Sequence, residues 1–193
     1  MASGPIFFME IRDVLHGSIG IRSQERAVVD SRFFQRLRQI KQLGFAENSF
    51  PSATHNRYIH SLGAMHTASH ALHSIFKNSG MPLKPAARER FDAVVRLAAL
   101  LHDVGHGPLS HTTEFAMPDV AKLGLSGPKQ KSRKANHEDY TLKIVLDSSL
   151  TPLLTAAGRH FGFGPEHIAS LIDGARTVPD DFFIETIDGT RVD

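Results

Sequence analysis

Leu97-Ala98-Ala99-Leu100-Leu101-His102-Asp103-Val104-Gly105-His106-Gly107-Pro108-Leu109-Ser110-His111 runs from a wholly apolar segment into a polar one without a gap. Residues 85–103 read as a helix, with Phe91, Val94, Val95, Leu97, Ala98, Leu100 and Leu101 apolar over most of its circumference. Such a helix sits at the centre of its bundle. Gly105, Gly107 and Pro108 then break it, and the glycines let the backbone turn sharply beside a ligand. Three His and one Asp fall within ten residues at the end of this apolar helix. A charged Asp in such a place needs a pairing partner, hydrogen bonds or a metal ion, because isolated burial of charge costs several kcal/mol. His102 and Asp103 are neighbours, about 100° apart around an ideal helix, so one ion serves both only if it lies between their directions. The density of ionisable groups favours a ligand site over a polar helix end with imidazoles favourable to the dipole.

Upstream, residues 57–77 read as a long helix ended by Asn78, Ser79, Gly80 and Pro82. Gly63, Ala64, Thr67 and Ala71 share the face of His60 and permit close approach of a helix or a metal site. Leu62, Met65, Leu72 and Phe76 form a separate stripe that supplies the core contact. His66, His70 and His73 align on a third direction; lacking a nearby carboxylate in sequence, they read as a solvated flank.

The remainder is mostly helical as well. Residues 6–21 mix β-branched and aromatic side chains with Gly17 and Gly20 and predict a small hairpin. Asp30-Ser31 caps a predicted helix carrying Phe33, Phe34, Leu37, Ile40 and Leu43, with Gly44 as its stop. Residues 48–56 read as a loop, and helical patterns return at 136–147, 151–159 and 165–173. Residues 124–134 read as an exposed loop whose Lys129, Lys131, Arg133 and Lys134 are solvated rather than a nucleic-acid surface. Residues 179–193 are acidic, partly apolar and carry no assignment.

Composition narrows the function. The chain has 193 residues, 12 His and no Cys, which excludes a disulfide scaffold, a Cys-ligated metal centre and a thiol nucleophile. Any metal site must use nitrogen and oxygen ligands. A formal charge of +2 gives no electrostatic argument for nucleic acid or membrane. The start lacks a basic n-region, and the apolar run 97–101 is far short of a span, so a cytoplasmic, soluble protein is expected.

Five strings occur in one order over about the first 140 residues. They are Asp13-Val14-Leu15-His16-Gly17-Ser18-Ile19, Phe34-Gln35-Arg36-Leu37-Arg38-Gln39-Ile40-Lys41-Gln42-Leu43-Gly44, and Phe50-Pro51-Ser52-Ala53-Thr54-His55-Asn56-Arg57-Tyr58-Ile59-His60-Ser61-Leu62-Gly63. The stretch from Leu100 to His111 and Asn136-His137-Glu138 complete the series. In this series the chain resembles the HD-domain phosphohydrolases, especially the N-terminal part of the deoxynucleoside triphosphate triphosphohydrolase branch. The implied fold is a mainly α HD-domain helical bundle with a small N-terminal β element. Residues 1–193 would form a single HD domain, shortened at its C-terminal side, with 1–29 as a β and loop lead-in.

The resemblance also implies roles. His60, His102 and Asp103 map onto the family's ligands for one divalent metal ion (Mn, Mg, Fe, Ni or Zn). Asp193 maps either onto the distant fourth ligand or onto the Asp two places before it, because Arg191 stands where the family's Gly-x-Asp-x-Asp string has its first Asp. His106 and His111 would face the phosphates, Arg57 would offer them charge-assisted bonds, and His137 would act as general acid. Its orienting carboxylate maps to Glu114, where related sequences carry Asp. Gln42 would bond the sugar 3′-hydroxyl and Leu43 disfavour a 2′-hydroxyl. On spacing alone, Arg57 reads as a helix-start ion pair, Gln42 as the neighbour of a helix-ending Gly, and His137-Glu138 as a helix start. The implied reaction converts a dNTP to deoxynucleoside and inorganic triphosphate. Two rivals are a nucleotide phosphohydrolase or phosphodiesterase with another leaving group, and an inactive HD nucleotide-binding module or fragment. The resemblance further implies a homo-oligomer in the full-length form and no membrane partner.

Overall fold

The computed structural model describes residues 8–125 and 133–179, together with the backbone of 184–185 and 191–192. Strands β1 (Met9–Asp13) and β2 (Gly17–Ile21) form the expected antiparallel hairpin, with Ile11 opposite Ile19. The alternation of the strand places Ile19 and Ile21 inward, where both join the main helical core. Two short helices follow, α1 (Arg26–Val29) and α2 (Arg32–Gln35), contributing Val28, Val29 and Phe34 to the same core.

Helix α3 (Arg57–Asn78) starts where Asn56 Oδ1 accepts the Ile59 N–H at 3.1 Å. Helix α4 (Pro85–Leu101) opens with Pro at its first position, where the missing N–H costs nothing. The two helices pack closely along one another, and α4 is also covered by α7 (Pro165–Ile172). Helices α5 (His137–Leu146) and α6 (Thr151–Gly158) close the bundle. A reciprocal capping box joins Asn136 and Asp139 at the start of α5. As read from periodicity, Leu62, Met65 and Phe76 of α3 are buried. Val94, Leu97, Leu100 and Leu101 make α4 the central helix. The fold is a mainly α bundle with a small N-terminal sheet, and among the described residues no helix is long and apolar enough to cross a membrane.

Two expectations need correction. The helix expected through residue 43 ends at Gln35, tightens into a 3-10 turn (Arg36–Gln39) and becomes extended at Ile40. Gly44 starts another 3-10 turn, Gly44–Ser49, instead of stopping a helix. The cause is tertiary: the Ile40 carbonyl accepts the Arg57 N–H at 2.8 Å, and Lys41 bridges Asn56. That backbone serves an otherwise orphaned first-turn donor of α3.

The second correction concerns α4, which is not purely apolar inside. Arg96 is buried on Glu25, with bonds of 2.5 and 2.8 Å. Asp92 is buried among Ser69, at 2.6 Å, and Arg22. His73 Nε2 lies 3.4 Å from Asp92, so the outer histidine stripe does have a carboxylate neighbour.

In the basic loop the two described cations make ion pairs while Lys134 stays exposed. Arg133 grips Asp139 through two bonds of 2.6 and 2.7 Å, and Lys134 pairs with Asp119 at 3.3 Å. Lys129 and Lys131 lie outside the described residues. In the unassigned tail, β3 (Ile184–Glu185) pairs with β4 (Arg191–Val192), and Asp193 lies outside the described residues.

Candidate functional site

The end of α4 and the start of α3 meet at one place. His102 caps α4, and the chain then turns through Asp103, Val104 and Gly105. His60, one turn into α3, brings its ring to 5.2 Å from that of His102. His60 Nε2 lies 3.7 Å from one Asp103 oxygen, and His102 Nε2 lies 3.5 Å from the other. One ligand atom from each of the three falls within 4.8 Å of the others, a spacing that could hold a metal ion.

The chemistry of this set suits a divalent ion. His102 Nδ1 lies 2.7 Å from the Ala99 carbonyl, a bond that needs a proton on Nδ1, so in the neutral ring it is Nε2 that carries the lone pair, toward Asp103. Burial pushes His60 below the usual imidazole value, with Asp103 opposing and His102 and Arg57 reinforcing the shift. The neutral ring is the ligating form. Burial alone would raise the Asp103 carboxyl. The His106 hydrogen bond and the His102 and Arg57 charges outweigh it and hold Asp103 well below the ordinary carboxylate range. Arg57, at the first position of α3, is buried against Asp103 and donates from Nε to Ser110 Oγ at 3.1 Å. Its second guanidinium nitrogen reaches the Gln42 carbonyl at 3.4 Å.

A second cluster begins one turn further along the same loop. His106 is 1% exposed and places Nε2 3.4 Å from Asp103. Its ring stacks on that of His137, with centroids 3.8 Å apart and planes 15° from parallel. His111 stands edge-on to both rings at 4.9 Å. Glu114 Oε1 receives His137 Nδ1 at 2.6 Å and lies 3.2 Å from His111 Nδ1. Burial raises the Glu114 carboxyl, but the His137 side-chain and backbone bonds prevail and lower it. These four residues also lie close enough to hold an ion.

Local backbone explains how so many imidazoles gather. Leu109 and Ser110 are non-glycine residues at φ 62° and 54°. Each such residue costs on the order of 1–3 kcal/mol, strain that recurs at ligand sites. Ser110 Oγ secures the turn by donating to the Lys41 carbonyl at 3.1 Å. A 3-10 turn, Ser110–Ala116, then carries His111 and Glu114 toward His137. The left-handed pair was not legible in a sequence that places Leu and Ser there.

The structure thus brings His60, His102 and Asp103 together, and His106, His111, Glu114 and His137 together, with Arg57 between the two sets. Gln42 joins through its backbone, and its Oε1 is buried with no hydrogen-bond partner among the described residues. His106 Nδ1 is buried and unpartnered in the same sense. Leu43 precedes the Gly44–Ser49 turn and is half-buried. Missed by sequence reasoning were Ser110, Thr141 and Arg36. Arg36 donates to the Val104 carbonyl and, at 2.6 Å, to that of His106. The small face beside His60 also works differently from expectation: the His16 ring approaches there, and a Cβ on Gly63 would lie 2.8 Å from its Nε2.

The chain is similar to several known proteins over much of its length. A deoxynucleoside triphosphate triphosphohydrolase SAMHD1 homolog of Dictyostelium discoideum is 37% identical over 135 residues, covering 70% of this chain and 24% of that protein. The Homo sapiens deoxynucleoside triphosphate triphosphohydrolase SAMHD1 is 41% identical over 115 residues, 57% of this chain and 18% of its own. The uncharacterized protein YwfO of Bacillus subtilis is 31% identical over 163 residues, 83% of this chain and 32% of its own. The chain therefore spans about a third or less of the length of these relatives. The HD domain model matches residues 57–180, from the first residue of α3 past the end of α7, so both histidine clusters lie within the match and the chain belongs to the HD-domain family.

Proposed function

We propose that this chain is a metal-dependent phosphohydrolase that converts deoxynucleoside triphosphates to deoxynucleoside and inorganic triphosphate. Metal-dependent phosphohydrolysis is the activity of the family, and the similar proteins of Dictyostelium and human are named as triphosphohydrolases. The observation that carries the reading is the shared wall of the two clusters. Asp103 presents one carboxylate oxygen to His60 and the other to both His102 and His106, at 3.4 to 3.7 Å.

His60, His102 and Asp103 would hold the ion, with Asp193, outside the described residues, proposed as the fourth ligand. When bound, a divalent ion supplies Lewis-acid polarisation of a phosphoryl oxygen. His106, His111 and Arg57 line the place for the phosphates as donors. Water attacks the α-phosphorus, and the bond from that phosphorus to the 5′-oxygen breaks. His137 gives the leaving 5′-oxygen its proton from Nε2, because Nδ1 is committed to Glu114. The unpartnered Gln42 Oε1 would accept from the sugar 3′-hydroxyl, and Leu43 would disfavour a 2′-hydroxyl. The reading treats the chain as a single domain with residues 1–29 as its lead-in, the described part of which packs into the helical core through Ile19, Ile21, Val28 and Val29. It also places the full-length protein in the cytoplasm as a homo-oligomer; exposed Val14 and Leu15 at the hairpin tip are apolar surface suited to such contact.

The test is product analysis. Purified protein is incubated with Mn²⁺ and each dNTP, and the products are separated by ion exchange. Equal amounts of deoxynucleoside and triphosphate support the reading. Release of pyrophosphate or single phosphate, or no release from any dNTP, overturns it.

A further inference from the structure

Thr141 is fully buried on α5, one turn after His137 and on the same face. Its Oγ1 donates to the His102 carbonyl at 3.1 Å and accepts the Gly105 N–H at 2.9 Å. One hydroxyl therefore ties both ends of the turn that carries Asp103. Gly105 makes this possible: a Cβ there would lie 2.0 Å from the His137 carbonyl oxygen and 2.3 Å from the Thr141 nitrogen. The turn thus rests directly on the first turn of α5. The His102 carbonyl, an end group of α4 with no helical partner, is satisfied by a side chain from the helix that presents His137.

We propose that Thr141 is a positioning residue that sets the two histidine clusters against each other. It touches neither substrate nor metal. It fixes the His102–Asp103 turn relative to His137, so that the carboxylate shared by both clusters keeps its place between them. The inference rests on reading His60, His102 and Asp103 as ligands, and it concerns the hydroxyl alone, since Val has nearly the same shape without it.

The experiment compares wild type with Thr141→Val and Thr141→Ser. Three quantities are read: Mn²⁺ affinity by titration with the metal alone, hydrogen exchange of the Gly105 amide, and kcat and KM for dNTP cleavage. Thr141→Val is expected to weaken Mn²⁺ binding by about 10- to 100-fold, the usual effect of losing a partner behind a ligand. It should also release Gly105 amide protection and lower kcat with little change in KM. Thr141→Ser is expected to behave as wild type in all three. Unchanged Mn²⁺ affinity and Gly105 protection in folded Thr141→Val overturns the proposal, as does a Ser variant as impaired as the Val variant. Should the Val protein not fold, the Ser protein decides: retained Mn²⁺ affinity and protection support the proposal, loss of either overturns it. The first two readouts need no substrate. A wild type that cleaves no dNTP, while Thr141→Val still loses Mn²⁺ and protection, therefore rejects the dNTP reading and keeps this one.

Discussion

The triad of His60, His102 and Asp103 and the quartet of His106, His111, Glu114 and His137 are built from the same residue types, yet they are held differently. In the triad, His102 is oriented by a backbone carbonyl of its own helix, and the one carboxylate is buried against an arginine. In the quartet, the carboxylate is half-exposed and orients two imidazoles, while a third imidazole is buried and stacked. The first arrangement leaves lone pairs converging near a fixed negative charge, which suits a cation. The second commits one nitrogen of His137 and leaves the other to exchange a proton. Substitutions should therefore separate the two sets by what they abolish.

The largest effect is expected at Asp103. Asp103→Asn removes the charge facing Arg57 and both clusters, leaving a buried guanidinium uncompensated. Chemical denaturation should show a loss of about 3–5 kcal/mol, the usual result of breaking a buried pair from one side. Bound Mn²⁺ and hydrolysis should both vanish. A folded Asp103→Asn protein that retains Mn²⁺ would remove the carboxylate from the metal set.

A smaller and more selective effect is expected at His137. His137→Gln should lower kcat by about 10²- to 10⁴-fold, the range for a lost acid–base group, while Mn²⁺ binding stays at the wild-type level. A fall in Mn²⁺ affinity would merge the two clusters into a single metal set.

Smallest is the stability contribution of Glu114. Its folded value lies below the ordinary 4.5 because of the His137 and His111 bonds, which prevail over burial. A depressed carboxyl stabilises above its unfolded value and loses that stabilisation as pH falls through the folded one. The Tm of Glu114→Gln should lie below that of wild type near neutral pH, and the gap should begin to shrink as pH falls below about 4.5 and close once pH has passed below the folded value. A gap that persists at lower pH would assign the effect to packing.

Much of this comparison was legible in the sequence where chemistry and spacing are local. The α3 and α4 starts follow from Asn56 and Pro85, and the His102-Asp103 doublet announces itself at the end of an apolar helix. The breakdown of the helix after Gln35 was not, because the pull on Ile40, Lys41 and Gln42 comes from Arg57, Asn56 and His55 at and just before the start of α3, 13 to 17 residues away in the chain. Nor were the buried pairs of Asp92 and Arg96, whose partners Arg22 and Glu25 lie some 70 residues upstream. Glu114 was named for its likeness to an orienting carboxylate; what puts it at 2.6 Å from His137 is the left-handed turn at Leu109 and Ser110, which no local propensity favours.

The central claim is a division of work between the clusters, and metal content tests it most directly. Wild type, His102→Ala and His137→Ala are loaded with Mn²⁺, desalted, and assayed for metal per chain. The account predicts one ion in wild type, almost none in His102→Ala and one in His137→Ala. Metal retained by His102→Ala, or lost from His137→Ala, would contradict it.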